Sequence, residues 1–168
     1  ATSDATISFT SGIDSTYGEY IFKFYNMNPE TDGAEFQFQV NATDGADYND
    51  SAITSTFFRA YHFESGSPAL GYDSSQDLAQ GTGFQILNLD VTNDADGSVA
   101  GELHLFNPAS TTYVKHFSAR TVYMYNDPSG TFNNFIGGYI NDTTAIDDIQ
   151  FKFSTGDFDG KIKMWGVK

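Results

Sequence analysis

Apolar and polar side chains alternate along most of this chain. Tyr20, Phe22 and Phe24 alternate with Ile21, Lys23 and Tyr25, and Phe36, Phe38 and Val40 alternate with Gln37 and Gln39. Phe57, Arg59, Tyr61 and Phe63 share one side of another run, and Ile149, Phe151 and Phe153 are separated by Gln150 and Lys152. The closing stretch sets Ile162, Met164 and Gly166 against Lys161, Lys163 and Trp165. Successive side chains of a strand point to opposite faces, so a period of two with one apolar set predicts half-buried strands. Further strands are expected over residues 4–10, 84–92, 99–106, 112–126 and 131–140.

The gaps carry turn chemistry: Asn28-Pro29, Thr31-Asp32-Gly33, Asp44-Gly45, Asp96-Gly97, Asn107-Pro108, Asp127-Pro128-Ser129-Gly130 and Asp159-Gly160. Only the stretch Ser74–Gln80 suggests a helical turn. About ten strands at this spacing predict an all-β fold, an antiparallel β-sandwich of jelly-roll-like winding. Nothing repeats and nothing resembles a linker, so residues 1–168 are expected to form one domain. Leu103 and Leu105, followed by Asn107-Pro108-Ala109-Ser110 and then Tyr113 to Phe117, predict a hairpin with a connection of about four to six residues. Such a hairpin would bring His104 and His116 near each other.

Composition narrows the function classes. There are 22 acidic residues against 8 basic ones, a formal charge of −14, and 17 of the acids are Asp. Asp favours turns and competes with helix, as do the 16 Gly and 11 Asn. A surface this acidic repels phosphate backbones and anionic bilayers, so no nucleic-acid or membrane partner is expected. No apolar run approaches the roughly 20 residues needed to span a bilayer, and the start, Ala1-Thr2-Ser3, shows no signal-peptide pattern. The absence of cysteine excludes thiol catalysis, thiolate metal sites and a disulfide scaffold. The 27 aromatic residues (16 Phe, 10 Tyr and one Trp) can fill a core without disulfides.

Enzymatic signatures are missing. The carboxylate pairs Asp147/Asp148 and Asp157/Asp159 sit too close in sequence to flank a substrate unless the fold separates them across a groove of about 5–9.5 Å. His62, His104 and His116 lack zinc-ligand spacing, and there is no G-x-S-x-G elbow or phosphate loop. Asp94 and Asp96, in Asn93-Asp94-Ala95-Asp96-Gly97-Ser98, place oxygen ligands as the first half of a calcium loop does, but Leu105 stands where the loop's bidentate Glu belongs. Calcium at Asp94 and Asp96 is the one cofactor expectation, and an Asp/Gly turn explains the same residues. A second acidic loop, residues 43–50, lacks the spacing. Three sequons, at Asn41, Asn49 and Asn141, would mark surface loops. Exposed tyrosines with Trp165 would suit a sugar-binding groove, although aromatics on strands are core by default. Lys161, Lys163 and Lys168 either guard a sheet edge or meet an acidic partner.

Longer strings carry a resemblance. Phe9-Thr10-Ser11-Gly12-Ile13-Asp14-Ser15-Thr16-Tyr17-Gly18-Glu19-Tyr20-Ile21-Phe22, continuing through Asn28-Pro29-Glu30-Thr31-Asp32-Gly33, resembles the opening of a group of marine tailed-bacteriophage virion structural proteins. Gly101-Glu102-Leu103-His104-Leu105-Phe106-Asn107-Pro108 and the close from Ile149 to Lys168, with Gly160-Lys161-Ile162-Lys163-Met164-Trp165-Gly166, are similar to the same group. The resemblance implies a non-enzymatic virion protein: a capsid decoration (cement) protein on the outer head surface, or a tail or fibre component. Its partners would be the major capsid protein or other virion proteins, and it would form a homo-oligomer, trimers included. The alternative from another class is a carbohydrate-binding β-sandwich module that recognises a host-surface glycan.

Overall fold

A computed structural model describes residues 1–42, 47–127 and 129–168. Every regular element in it is a strand. In chain order these are β1 (Thr6–Phe9), β2 (Glu19–Pro29), β3 (Ala34–Ala42), β4 (Ile53–Phe63), β5 (Pro68–Tyr72), β6 (Ala79–Gly81), β7 (Gln85–Val91), β8 (Val99–Phe106), β9 (Lys115–Tyr125), β10 (Gly130–Ile140), β11 (Ile146–Phe153) and β12 (Phe158–Val167). All pairings are antiparallel.

The strands form two layers. The larger runs β12-β2-β8-β9-β10-β4-β5, with β6 also on β4, and the smaller runs β1-β11-β3-β7. One bridge, Val91 to Tyr125, ties β7 to β9 and so joins the layers at one end. Inward-facing rings fill the space between. Phe22 and Phe24 of β2 meet Phe151 of β11 at 5.5 and 5.3 Å, Phe24 meets Phe36 of β3 at 5.2 Å, and Phe38 of β3 meets Phe117 of β9 at 5.1 Å. Pairs of this kind add about 0.5–1.5 kcal/mol each beyond the area they bury. The apolar sets led by Phe22, Phe36 and Phe151 are the buried sets, as expected, whereas Tyr61 and Phe63 of β4 and Ile162 and Met164 of β12 are half-buried.

The pairing is also nested: β2 with β12, β3 with β11, β4 with β10, around the β8–β9–β10 meander.

Several expectations need correction. Twelve strands replace about ten, because β5 and β6 lie where no strand was expected. The helical turn at Ser74–Gln80 is instead a turn over residues 74–76, closed by the Gln76 amide donating to the Asp73 carbonyl at 3.3 Å, which leads into β6. Leu78 and Ala79 give no apolar stripe of helical period to bury, and β4 offers an edge to pair with. The β8–β9 hairpin forms, but its connection is eight residues long, from Asn107 to Val114. Asn107 turns the chain with φ near 48°, and Ser110 caps the amides of Thr112 and Tyr113. Its register places Ser118, not His116, opposite His104. Asn41 is buried at the end of β3 rather than on a surface loop. The loop residues Thr43 to Ala46, and Pro128 in the 127–130 turn, lie outside the described residues.

Candidate functional site

The outward set of each strand in the larger layer makes up one broad face. Hydrogen-bonded register lines these residues into rows. One row crosses seven strands: Lys163, Lys23, Glu102, Arg120, Phe135, Phe58 and Tyr72. A second passes from Trp165 through Ile21, His104, Ser118 and Gly137 to Thr56.

Two features separate this face from the rest of the surface. The first is exposed apolar bulk. Among the described residues, nine large apolar side chains are exposed, and all but Tyr113 lie on it: Tyr25, Phe58, Leu70, Tyr72, Phe106, Val122, Trp165 and Val167. Leu70 is 73% exposed and Tyr72 56%. The second is charge. Lys23, Arg120, Lys161 and Lys163 point outward here, against the carboxylates of Glu19, Glu102 and Asp159, in a chain of net charge −14. The acids gather instead in the loops.

The two ends of the face differ. Toward β4 and β5, Phe58 stacks on Phe135 at 5.1 Å with the rings nearly parallel, and Arg120 covers the other side of Phe135 at 5.3 Å. Leu70 and Tyr72 extend this patch on β5, and the Tyr72 hydroxyl donates to Asp77. Toward β12, Trp165 and Tyr25 are interleaved with lysines: the Lys23 ammonium lies 6.0 Å from the Trp165 ring and that of Lys163 5.7 Å from the Tyr25 ring.

A polar cluster sits between the ends. His104 Nδ1 lies 2.5 Å from Glu19 and its Nε2 3.3 Å from Glu102, which in turn is 3.4 Å from Lys23. Burial opposes the charged ring, but hydrogen bonds and charge from Glu19 and Glu102 outweigh it, so the His104 pKa lies above its ordinary value. All three histidines are on this face, His62 on β4 and His116 on β9, where its ring meets Tyr139 at 6.3 Å. Among the described residues no group of three or more His, Asp or Glu side chains is placed to hold a metal ion.

The other sequence candidates lie elsewhere. Asp94 and Asp96 are exposed in the turn between β7 and β8, which the Gly97 amide closes on the Asp94 carbonyl at 2.9 Å. The Asn28 side-chain amide donates to the carbonyls of Asp94 and Gly97, at 3.0 and 2.7 Å. Asn28 and the turn backbone thus hold the loop. Asp147 and Asp148 adjoin a bulge in β11, where burial, then the charge of Asp147, raises the pKa of Asp148. Asp159 accepts from the Ser3 amide at 2.9 Å, and the hollow beside it holds no second carboxylate. Lys161 and Lys163 belong to the basic end of the face.

Sequence reasoning missed Phe58, Leu70 and Tyr72. The signal was present, since Leu70 and Tyr72 alternate with Ala69 and Gly71, but Pro68, Gly66 and Gly71 masked a strand. It also missed Lys115, fully buried, whose ammonium donates to the carbonyls of Asp142 and Thr144. Burial lowers its pKa, with the charge of Asp142 opposing.

Comparison with known proteins is silent: no family model, curated protein or solved structure matches the chain.

Proposed function

We propose that this protein is a non-enzymatic virion structural protein of a tailed bacteriophage, a capsid decoration protein that docks through the β4–β5 end of the larger sheet's outer face. One observation carries the docking reading: Phe58, Leu70 and Tyr72 stand exposed side by side on one sheet face, with Phe135 stacked beneath Phe58. Contiguous apolar surface of this kind marks protein contact sites, whereas scattered exposed apolar residues are ordinary. Arg120 at the margin suits it further, because Arg and aromatic residues dominate interface energetics. The virion assignment is supported by the resemblance of the opening and closing strings to phage structural proteins.

A decoration protein must also tolerate high local copy number. Net charge of −14 keeps free copies apart, while the acid-poor face can approach an acidic or apolar surface under salt screening. Cryo-electron microscopy of the particle tests the reading. Density for this chain repeated over the head lattice, with β4 and β5 against the shell, is the expected result. Density confined to the tail would overturn the decoration assignment, and absence from the particle would overturn the virion reading altogether.

A further inference from the structure

At the opposite end of the same face, β2 and β12 carry a feature that docking by Phe58 and Leu70 does not use. Lys23 and Lys163 are direct cross-strand partners, and Lys161 lies opposite Tyr25. Like charges facing each other across a sheet are destabilising. Here they occur in a chain with only eight basic residues. Lys23 leans to Glu102 at 3.4 Å, both side chains well exposed, while among the described residues Lys161 and Lys163 make no ion pair. A row of edge lysines could serve only to discourage edge pairing. The backbone and the rings beside them argue for more.

β2 bulges here against both of its neighbours. Phe24 to Met27 of β2 spans only Gly101 to Val99 of β8, and Tyr25 to Asn28 spans only Lys161 to Asp159 of β12, with Asn26 at a φ of 50°. Beside this bulge lies a hollow of about 450 Å³ lined by Tyr25, Asn26, Asp159, Gly160, Lys161 and Lys163. A neighbouring hollow of about 420 Å³ continues past Tyr25 to Lys23, Glu102 and Arg120 on the β8–β9 side. Bulges recur where a sheet re-aims side chains at a site. The result is a shallow track with the exposed ring of Tyr25 and the ammonium groups of Lys161 and Lys163, which make no ion pair, and with the exposed Trp165 at its margin beside Lys23.

We infer that this track binds an acidic polysaccharide, with sugar rings stacked on Trp165 and Tyr25 and carboxylate or sulfate groups paired to Lys161, Lys163 and Lys23. The charge complementarity is local. The surrounding acids would repel a polyanion as dense as nucleic acid, but a chain charged at wider intervals can place its anions on the lysines and its neutral stretches beside the acidic loops. Exposed ring faces suit the flat apolar faces of pyranoses, which an acidic peptide lacks. This site is independent of the docking reading, because it uses the other end of the face.

Titration calorimetry of the full chain at low salt tests it, with oligogalacturonate and a sulfated oligosaccharide as acidic probes, a neutral dextran oligomer and poly-glutamate as comparators. Binding of at least one acidic oligosaccharide, weakened by added salt and absent with dextran, is expected. Trp165→Ala and the pair Lys161→Ala with Lys163→Ala should each weaken it by about tenfold or more at unchanged melting temperature. Amide shift mapping on the unmutated chain supplies a second readout, with changes expected only along β2, β12 and the adjoining part of β8. Equal binding of poly-glutamate would overturn the sugar assignment in favour of an acidic peptide. No binding of either acidic probe, or shifts mapped elsewhere, would remove the site.

Discussion

The two outer faces of this sandwich are built by the same alternation, yet they end in opposite states. On the smaller sheet the outward side chains satisfy one another. Gln150 donates to Ser8 at 3.0 Å, Gln37 to Glu35 at 2.9 Å, and the Gln39 amide reaches the carbonyls of Ser51, Thr82 and Gly83. Lys152 covers the Phe84 ring at 4.0 Å. On the larger sheet the outward positions hold Phe58, Leu70, Tyr72, Val122 and Trp165, exposed to water. Alternation identifies what goes inward. What a face does is decided by the other half of the pattern, where bulk and charge are free to vary.

The sharpest way to break this contrast is to place charge on the apolar end. Phe58→Asp combined with Leu70→Asp should reduce association with the particle by about 100-fold or more, since two anchors worth about 2 kcal/mol each are removed. Stability should move by less than about 1 kcal/mol, because both positions are exposed. Gln37→Ala with Gln150→Ala on the smaller sheet should leave association unchanged. Pull-down on purified particles compares the two pairs, and equal losses would end the distinction between the faces.

A smaller effect is expected at the polar cluster. The His104 pKa is raised in the folded state, so its contribution to stability is complete below about pH 6.5 and is lost as pH climbs through the folded-state value. Denaturant melts of the unmutated chain should therefore show less stability at pH 8 than at pH 6 from this group. His104→Gln should flatten that slope. A slope unchanged in the variant would assign the pH dependence to other groups.

Least of all is expected from the Lys23–Glu102 ion pair, whose side chains are 44% and 40% exposed. Lys23→Ala should change unfolding free energy by no more than about 0.5 kcal/mol. A larger loss by equilibrium denaturation would mean that the face contributes to stability as well as to contact.

Much of the architecture is legible in the sequence. Phe22, Phe36, Phe38, Phe151 and Phe153 are inward where period two puts them, and Asp/Gly and Asn/Pro turns separate them. Strand order is not legible, because nested pairing joins residues far apart, such as Thr6 with Lys152, and local patterns carry no record of partners. Leu70 and Tyr72 escaped for a different reason. Their strand is short, flanked by Pro and Gly, and exists because β4 presents an edge. Lys115 illustrates the limit from the other side: a lysine between turn residues and a hydrophobic run looks solvated, and only the loop carbonyls of Asp142 and Thr144 make its burial tolerable. The basic end was half visible, since Lys161, Lys163 and Trp165 alternate in sequence. That Lys23 and Tyr25 complete it depends on β2 pairing with β12.

That same nesting governs how the chain comes together in time. The β8–β9–β10 meander can form from neighbouring residues, but β2 and β3 complete their pairing only with β12 and β11, which lie far along the chain. Folds dominated by such distant pairings reach the native state in roughly milliseconds to seconds rather than microseconds. The Phe22 and Phe24 side of β2 is covered by Phe9, Phe36 and Phe151 of the facing layer, so it stays open to water until β11 has docked. Any change that keeps β11 from docking leaves those rings exposed, and this late step of assembly is where a crowded cell would first turn the chain toward aggregation.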